Sequence, residues 1–349
     1  MPALKKVIDK EINTIMDTNP SSLTFAERRA RVARKVILLR GLTRVEVQKQ
    51  GSFSEILELP SSCETCLPNE VYVYRPELLS EDYENKFIET SPVPRPALFT
   101  FHGGGFALGH ALLIEKVCIY ICRKAGIPVF NIEYLKTPEH PYPEALNQID
   151  EILQYVAENA STWNIDPHQF FLMGLSAGAN LAAVCALRAR EQSNYTIRGQ
   201  ILHYPYLDVA TPFAEKDPGT HIEVDEISEF YDEFYAPASK RTLSHVSPVY
   251  ATETELAGIA PALCVTAEYD ILRAEAVLYV EKLKSAGVEA EELVIAGMSH
   301  AYIEQWASSG SYANEIGVGL PGSGFIGIWL AAIEALDASA RFINAHTKR

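Results

Sequence analysis

A chain of 349 residues with a formal net charge of −15 repels phosphate backbones, which disfavours nucleic acid as a partner and anionic membrane surfaces with it. Charged residues make up 21% and hydrophobic residues 48%, an ordinary globular balance that excludes fibrous and disordered classes. The length suits one large α/β core with an attached subdomain.

Residues 1–10 lack the apolar run of a signal peptide, and no stretch of about 18 apolar residues follows. A cytoplasmic protein without a membrane span is therefore expected. The first 45 residues read as amphipathic helix, with a capping box at Thr24-Phe25-Ala26-Glu27 and a stop at Gly41. Strand patterns follow at 71–74 and 97–101, both bounded by prolines, then at 128–134. A helix is predicted over 145–160, a strand over 170–173 and a helix from Ala177 to about Arg190. Strands at 200–203, 262–266 and 292–295 continue the series, and the last helix begins near Ile328. Short apolar strands alternating with helices call for a mostly parallel sheet covered by helices on both faces. Residues 208–250 break the alternation: they are acidic and aromatic, with a helical spacing of aromatics near Phe230, Phe234 and Tyr235. The expected division is thus N-terminal helices (1–50) contributing to a cap, the first part of the core (51–207), a cap insertion (208–250) and the second part of the core (251–349). A solvated acidic helix with aromatics in ordinary core is the other reading of that insertion.

The six cysteines sit mostly in apolar runs and read as reduced core residues. Cys63-x-x-Cys66 resembles half of a zinc or redox site but has no second pair or histidines nearby, so no metal and no cofactor are expected. The sequons at Asn159 and Asn194 mean little without a secretory route.

Gly174-Leu175-Ser176-Ala177-Gly178 is a weak pattern alone, but it follows an apolar strand and opens a helix. That strand–turn–helix setting is what an exposed, strained serine nucleophile needs, with small flanking residues to avoid clashes. The helix start also directs backbone N–H groups at a developing negative charge. A second element, His102-Gly103-Gly104-Gly105-Phe106, follows the strand ending at Phe101, and its glycines let backbone amides approach a ligand closely. It lacks the Lys-Ser/Thr of a nucleotide loop. Gly317-Val318-Gly319-Leu320-Pro321-Gly322 matches a dinucleotide pattern but follows no strand and contains proline.

A serine nucleophile needs a base, and the base an orienting carboxylate. Asp270 follows the strand at 262–266, and His300 follows the next strand by a short glycine-containing loop. This is the Ser, Asp, His order of the serine hydrolases built on such sheets. Glu268 is the rival carboxylate. His203 and His245 precede Asp270, His140 reads as structural, and Asp166 comes too early.

Six motifs in order resemble the hormone-sensitive-lipase-like branch of the α/β-hydrolases, the family IV esterases and plant carboxylesterase-like enzymes. They are His102-Gly-Gly-Gly-Phe106, Pro138-Glu-His-Pro-Tyr-Pro143, Gly174-Leu-Ser-Ala-Gly178, Tyr204-Pro-Tyr-Leu-Asp208, Asp270-Ile-Leu-Arg273 and Gly297-Met-Ser-His300. The resemblance covers roughly residues 70–305. It implies an α/β-hydrolase fold with a helical cap, Ser176, Asp270 and His300 as catalytic residues, and an oxyanion hole from the amides of Gly104, Gly105 and Ala177. It also implies cofactor-free hydrolysis of a small or medium-sized carboxylic ester by a monomer or homodimer. The chain departs from the pattern at Leu175, where relatives usually carry Asp, at Ile271, where they carry Pro, at Tyr134-Leu-Lys-Thr137, and over 308–327. These departures leave room for an acyltransferase, lactone-forming enzyme or lyase using the same residues. A non-catalytic receptor is disfavoured because His300 is present.

Overall fold

The computed structural model describes residues 55–59, 69–76, 93–190, 194–216, 234–308 and 325–347. The helices expected over 1–45, the Cys63/Cys66 pair, the core of the acidic aromatic run and most of 308–327 lie outside them.

Eight strands form one sheet: β1 (Glu55–Leu59), β2 (Asn69–Tyr74), β3 (Arg95–Phe101), β4 (Val129–Ile132), β5 (Ile165–Leu175), β6 (Ile197–His203), β7 (Ala262–Tyr269) and β8 (Ala290–Ser299). Their spatial order is β1-β2-β4-β3-β5-β6-β7-β8. The two pairings made by β2 are antiparallel and all others are parallel. The helices are α1 (Glu115–Ala125), α2 (Glu144–Glu158), α3 (Ala177–Ala189), α4 (Glu253–Leu256), α5 (Arg273–Ser285), α6 (Tyr302–Ser308) and α7 (Phe325–His346).

Side chains of a strand alternate between faces, and the sheet sorts them accordingly. Phe170 and Leu172 of β5 join one buried cluster with Phe99, Phe101 and Cys264, under α2, α3 and α5. Phe171, Met173 and Leu175 join the other, with Leu98, Leu263 and Val265, under α1, α6 and α7. Both faces being dry explains why the central strands are near-continuous apolar runs. α3 is buried along almost its whole length, and its small residues let it lie close to the sheet.

The predicted strands and helices are all present where the described residues cover them, most strands with longer bounds, whereas β4 is shorter than the predicted 128–134 and α2 ends at Glu158 rather than at 160. β5 begins at Ile165, five residues before its apolar run, and a register shift divides its two parts. β7 and β8 extend to Tyr269 and Ser299, so Asp270 and His300 each follow their strand directly. The final helix starts at Phe325, three residues before Ile328. The described parts of 208–250 hold short single turns at Phe213–Glu215, Ala238–Lys240 and Pro248–Tyr250.

Candidate active site

Parallel strands bring their C-terminal ends to one edge, and the loops after β3, β5, β6, β7 and β8 meet there. Ser176 stands between β5 and α3 with φ 55° and ψ −118°, a state that a side chain rarely adopts. Its surroundings impose it. A Cβ on Gly174 would sit 2.1 Å from the Gly178 carbonyl oxygen, and one on Gly178 would sit 2.3 Å from the Phe101 oxygen. The Ser176 amide donates to His203 O at 3.0 Å, and its carbonyl accepts from Tyr206 N at 3.2 Å. The turn is thereby clamped to the end of β6.

The Ser176 hydroxyl lies 2.8 Å from His300 Nε2, and His300 Nδ1 lies 2.8 Å from Asp270 Oδ2. The second Asp270 oxygen accepts from Leu272 N at 2.9 Å. Asp270 is buried and so held, whereas the His300 side chain is 28% exposed and reachable from the crevice. With Nδ1–H donated to the carboxylate, Nε2 is the lone pair that faces the serine hydroxyl. Burial pushes the His300 imidazole towards its neutral form. The Asp270 carboxylate, helped by Glu304 and Glu275, outweighs it, and the net shift is upward. The rival carboxylate is occupied elsewhere, because Glu268 Oε2 accepts from Gly297 N at 2.7 Å. His203 is buried against Ser339, and His140 pairs with Glu144.

The glycine loop after β3 passes beside the serine. Gly104 has φ +129° and Gly105 φ +58°, and the Gly104 carbonyl accepts from Ala107 N and Leu108 N at 3.1 and 2.7 Å. A Cβ at Gly104 would collide with Leu108 O at 2.4 Å. Ala177 opens α3, so its amide is one of the first-turn N–H groups that the helix itself leaves unpaired. Among the described residues, none of the Gly104, Gly105 and Ala177 amides donates to another group of the chain. Under the loop, His102 stacks on Tyr134 with ring centroids 4.2 Å apart, and burial drives its pKa down to about 3, so it stays neutral. Burial opposes ionisation of Glu133 too, but its charged surroundings, Lys136 first, reverse that and hold its carboxyl at about 2.

Three neighbours received no role in the sequence reading, although Tyr204 lies in one of its motifs. Glu304 accepts a hydrogen bond from the Tyr204 hydroxyl, and the Tyr204 ring meets the His300 ring edge-on at 5.1 Å. Burial raises the Glu304 carboxyl above its usual range. Ala301, with φ 62°, separates His300 from α6, so the four-residue spacing to Glu304 carries no helical-face signal. The third is Glu275, buried in an ion pair with Lys216 at 2.5 Å, while its other oxygen accepts from Leu207 N at 2.7 Å. This pair fixes the segment after β6 to the start of α5.

Leu175 has a structural explanation. Its side chain is fully buried in the cluster that contains Tyr204, Met298, Tyr302 and Ile303, on the opposite face of the sheet from Phe170 and Leu172. A carboxylate there would need partners that this apolar cluster does not supply.

Among the described residues, no group of three or more His, Cys, Asp or Glu side chains could hold a metal ion, and no helix is long and apolar enough to cross a membrane. The described cysteines, Cys118, Cys122, Cys185 and Cys264, are buried and form no disulfide.

A family model described as the alpha/beta hydrolase fold matches residues 98–304, more than half of the chain. The protein therefore belongs to the alpha/beta hydrolase family, as its sheet order and serine turn also indicate. Carboxylesterase NlhH of Mycobacterium tuberculosis is 32% identical over 213 residues, covering 60% of this chain and 66% of that protein. The AB hydrolase superfamily protein C1039.03 of Schizosaccharomyces pombe is 31% identical over 213 residues, 59% of this chain and 62% of its own length. The chain thus spans less than two thirds of either relative. A hyperthermophilic esterase from the archaeon Pyrobaculum calidifontis has a similar fold, with a TM-score of 0.71 at 23% identity over 96% of both chains.

Proposed function

We propose that the protein is a serine carboxylic-ester hydrolase that works through an acyl-enzyme. The carrying observation is the unbroken chain from Ser176 Oγ to His300 to the buried Asp270, with each link at 2.8 Å. His300 Nε2 takes the hydroxyl proton as Ser176 attacks the ester carbonyl, and Asp270 stabilises the imidazolium that forms. The amides of Gly104, Gly105 and Ala177 receive the oxyanion, each donor being worth about 3 kcal/mol in comparable sites. The proton returns through His300 to the leaving alcohol. Water, activated by the same imidazole, then cleaves the acyl-enzyme. No step calls for a cofactor or metal.

The names of the relatives, a carboxylesterase and an esterase, favour hydrolysis over transfer. Leu175 does not bear on that choice, since its side chain is core and not part of the crevice. The substrate is a small or medium-sized ester. We also assign the described segment at Tyr235 to a cover over the crevice, because its ring stacks on Phe106, at the end of the glycine loop, with centroids 3.7 Å apart. The Tyr142 amide holds that segment in turn by donating to Tyr235 O at 2.8 Å.

The test is release of p-nitrophenol from esters of acetate to decanoate, with and without an alcohol acceptor, using Ser176→Ala as control. Hydrolysis in water alone by the wild type, abolished in the variant, is expected. Release that requires the acceptor would instead support acyl transfer, and no release from any ester would sink the esterase reading.

A further inference from the structure

Asp270 is not the sole carboxylate beside the imidazole. Glu304 stands in the first turn of α6, and its side chain reaches back to the same strand edge. Three contacts define where it goes. It accepts the Tyr204 hydroxyl proton, and the Tyr204 ring is set edge-on against His300. Its Oε1 lies where a Cβ of Gly103 would be, 2.5 Å from that point, and the same point is 3.5 Å from the Ser176 Cβ. The missing side chain at Gly103 therefore opens the space that the Glu304 carboxylate fills, between the glycine loop and the nucleophile.

Tyr204 itself is held in an uncommon backbone state, with φ 34°, and its amide N–H donates a hydrogen bond to Val265 O at 2.7 Å. Chain strain at such a position persists only where the surroundings over-determine it. The Tyr302 ring closes the other side at 5.4 Å from the Tyr204 ring. The charged and titratable groups that face His300 are Asp270 from the β7 end, Glu275 from α5 and Glu304 from α6. Those that face Glu304 are His300, Asp270, Tyr204, Tyr302 and Tyr134.

We infer that Glu304 is a positioning residue that, through Tyr204 and its own negative charge, orients His300 and stabilises its imidazolium while bracing Gly103 of the glycine loop. It deepens the esterase reading and rests on it for its role in turnover, but its effect on His300 is independent of any substrate. An ionised Glu304 favours the charged imidazole, so it raises the pH at which His300 becomes a competent base and lowers the barrier to forming the imidazolium. Burial pushes the Glu304 carboxyl up, and the Tyr204 hydroxyl works against it by donating to the ionised form.

The experiment is an NMR titration of the His300 ring in the full chain, paired with kcat/KM against pH for p-nitrophenyl butyrate. Wild type is compared with Glu304→Gln, Glu304→Asp and Tyr204→Phe. Replacing one charge near a partly exposed imidazole should lower the His300 pKa by roughly half a unit or more in Glu304→Gln. The acidic limb of the profile should move down by the same amount, with kcat falling several-fold and KM little changed. Glu304→Asp, which keeps the charge but shortens the chain, should recover most of the pKa, and Tyr204→Phe should fall between the two. A purely structural role predicts the reverse order, with the isosteric Gln harmless and Asp damaging. An unchanged His300 titration in Glu304→Gln overturns the inference even if turnover is normal. Absence of wild-type turnover with a shifted titration would overturn the esterase reading and leave the Glu304 coupling standing.

Discussion

The turn that carries Ser176 and the loop that carries His300 meet at one hydrogen bond but are held by different means. Around Ser176 the restraint is steric: Gly174 and Gly178 leave no room for a Cβ, and backbone atoms do the excluding. Around His300 it is polar. Asp270 fixes the ring through Nδ1, Glu268 anchors the Gly297 amide, and the Tyr204 ring sets the remaining edge. The first arrangement tolerates no added atom, because backbone cannot move out of the way as a side-chain end can. The second can be altered one group at a time without losing the fold. Precision at the proposed nucleophile therefore comes from packing, and tuning of the proposed base comes from electrostatics.

The comparison is broken hardest at Asp270. Asp270→Asn should leave far-ultraviolet circular dichroism unchanged yet lower kcat by about ten-thousand-fold, because the amide would stabilise the wrong imidazole tautomer. A fall of less than tenfold would mean that the polar restraint on His300 is dispensable. Next in size is Gly178→Ala, which should cost about 3 kcal/mol of stability or more in urea unfolding, since the added methyl meets the Phe101 and His102 carbonyls. A neutral result would show that the turn relaxes where steric exclusion should forbid it. Glu268→Gln should be milder, about 1 kcal/mol, because the amide oxygen of Gln can still accept from Gly297 N.

The smallest effect is in pH dependence. In the proposed role of base, His300 must be neutral to accept the serine proton, and its pKa is raised above the ordinary imidazole value. Activity should therefore decline as pH falls through that raised value, earlier than for a free imidazole. In Asp270→Asn the remaining activity should persist to lower pH, because the largest favourable charge is gone. A limb that stays put on removing Asp270 would show that the carboxylate does not set the base's pKa.

Much of this was readable in the sequence, for a physical reason. A central parallel strand dry on both faces is a short apolar run, and residues 97–101, 170–173 and 262–266 declare themselves that way. The loops after such strands must gather at one edge, so Ser176, Asp270 and His300 could be placed together from order and spacing alone. β1 was missed because all its residues but Leu59 are partly or largely exposed, and a five-residue edge strand carries little pattern. The first five residues of β5 were missed because they include proline and polar groups. Glu304 was not legible because its partner Tyr204 lies a hundred residues away, and the Lys216–Glu275 pair spans 59 residues. Contacts made through space across the sheet edge leave no mark in local composition.

The central claim is that Ser176 is an activated nucleophile, and covalent capture tests it most directly. The full chain is treated with a fluorophosphonate, digested and mapped by mass spectrometry, with Ser176→Ala and His300→Ala alongside. A single adduct on Ser176, absent in the first variant and formed at least a hundredfold more slowly in the second, is the predicted result. An adduct on another residue, or labelling of Ser176 at the same rate without His300, would contradict it.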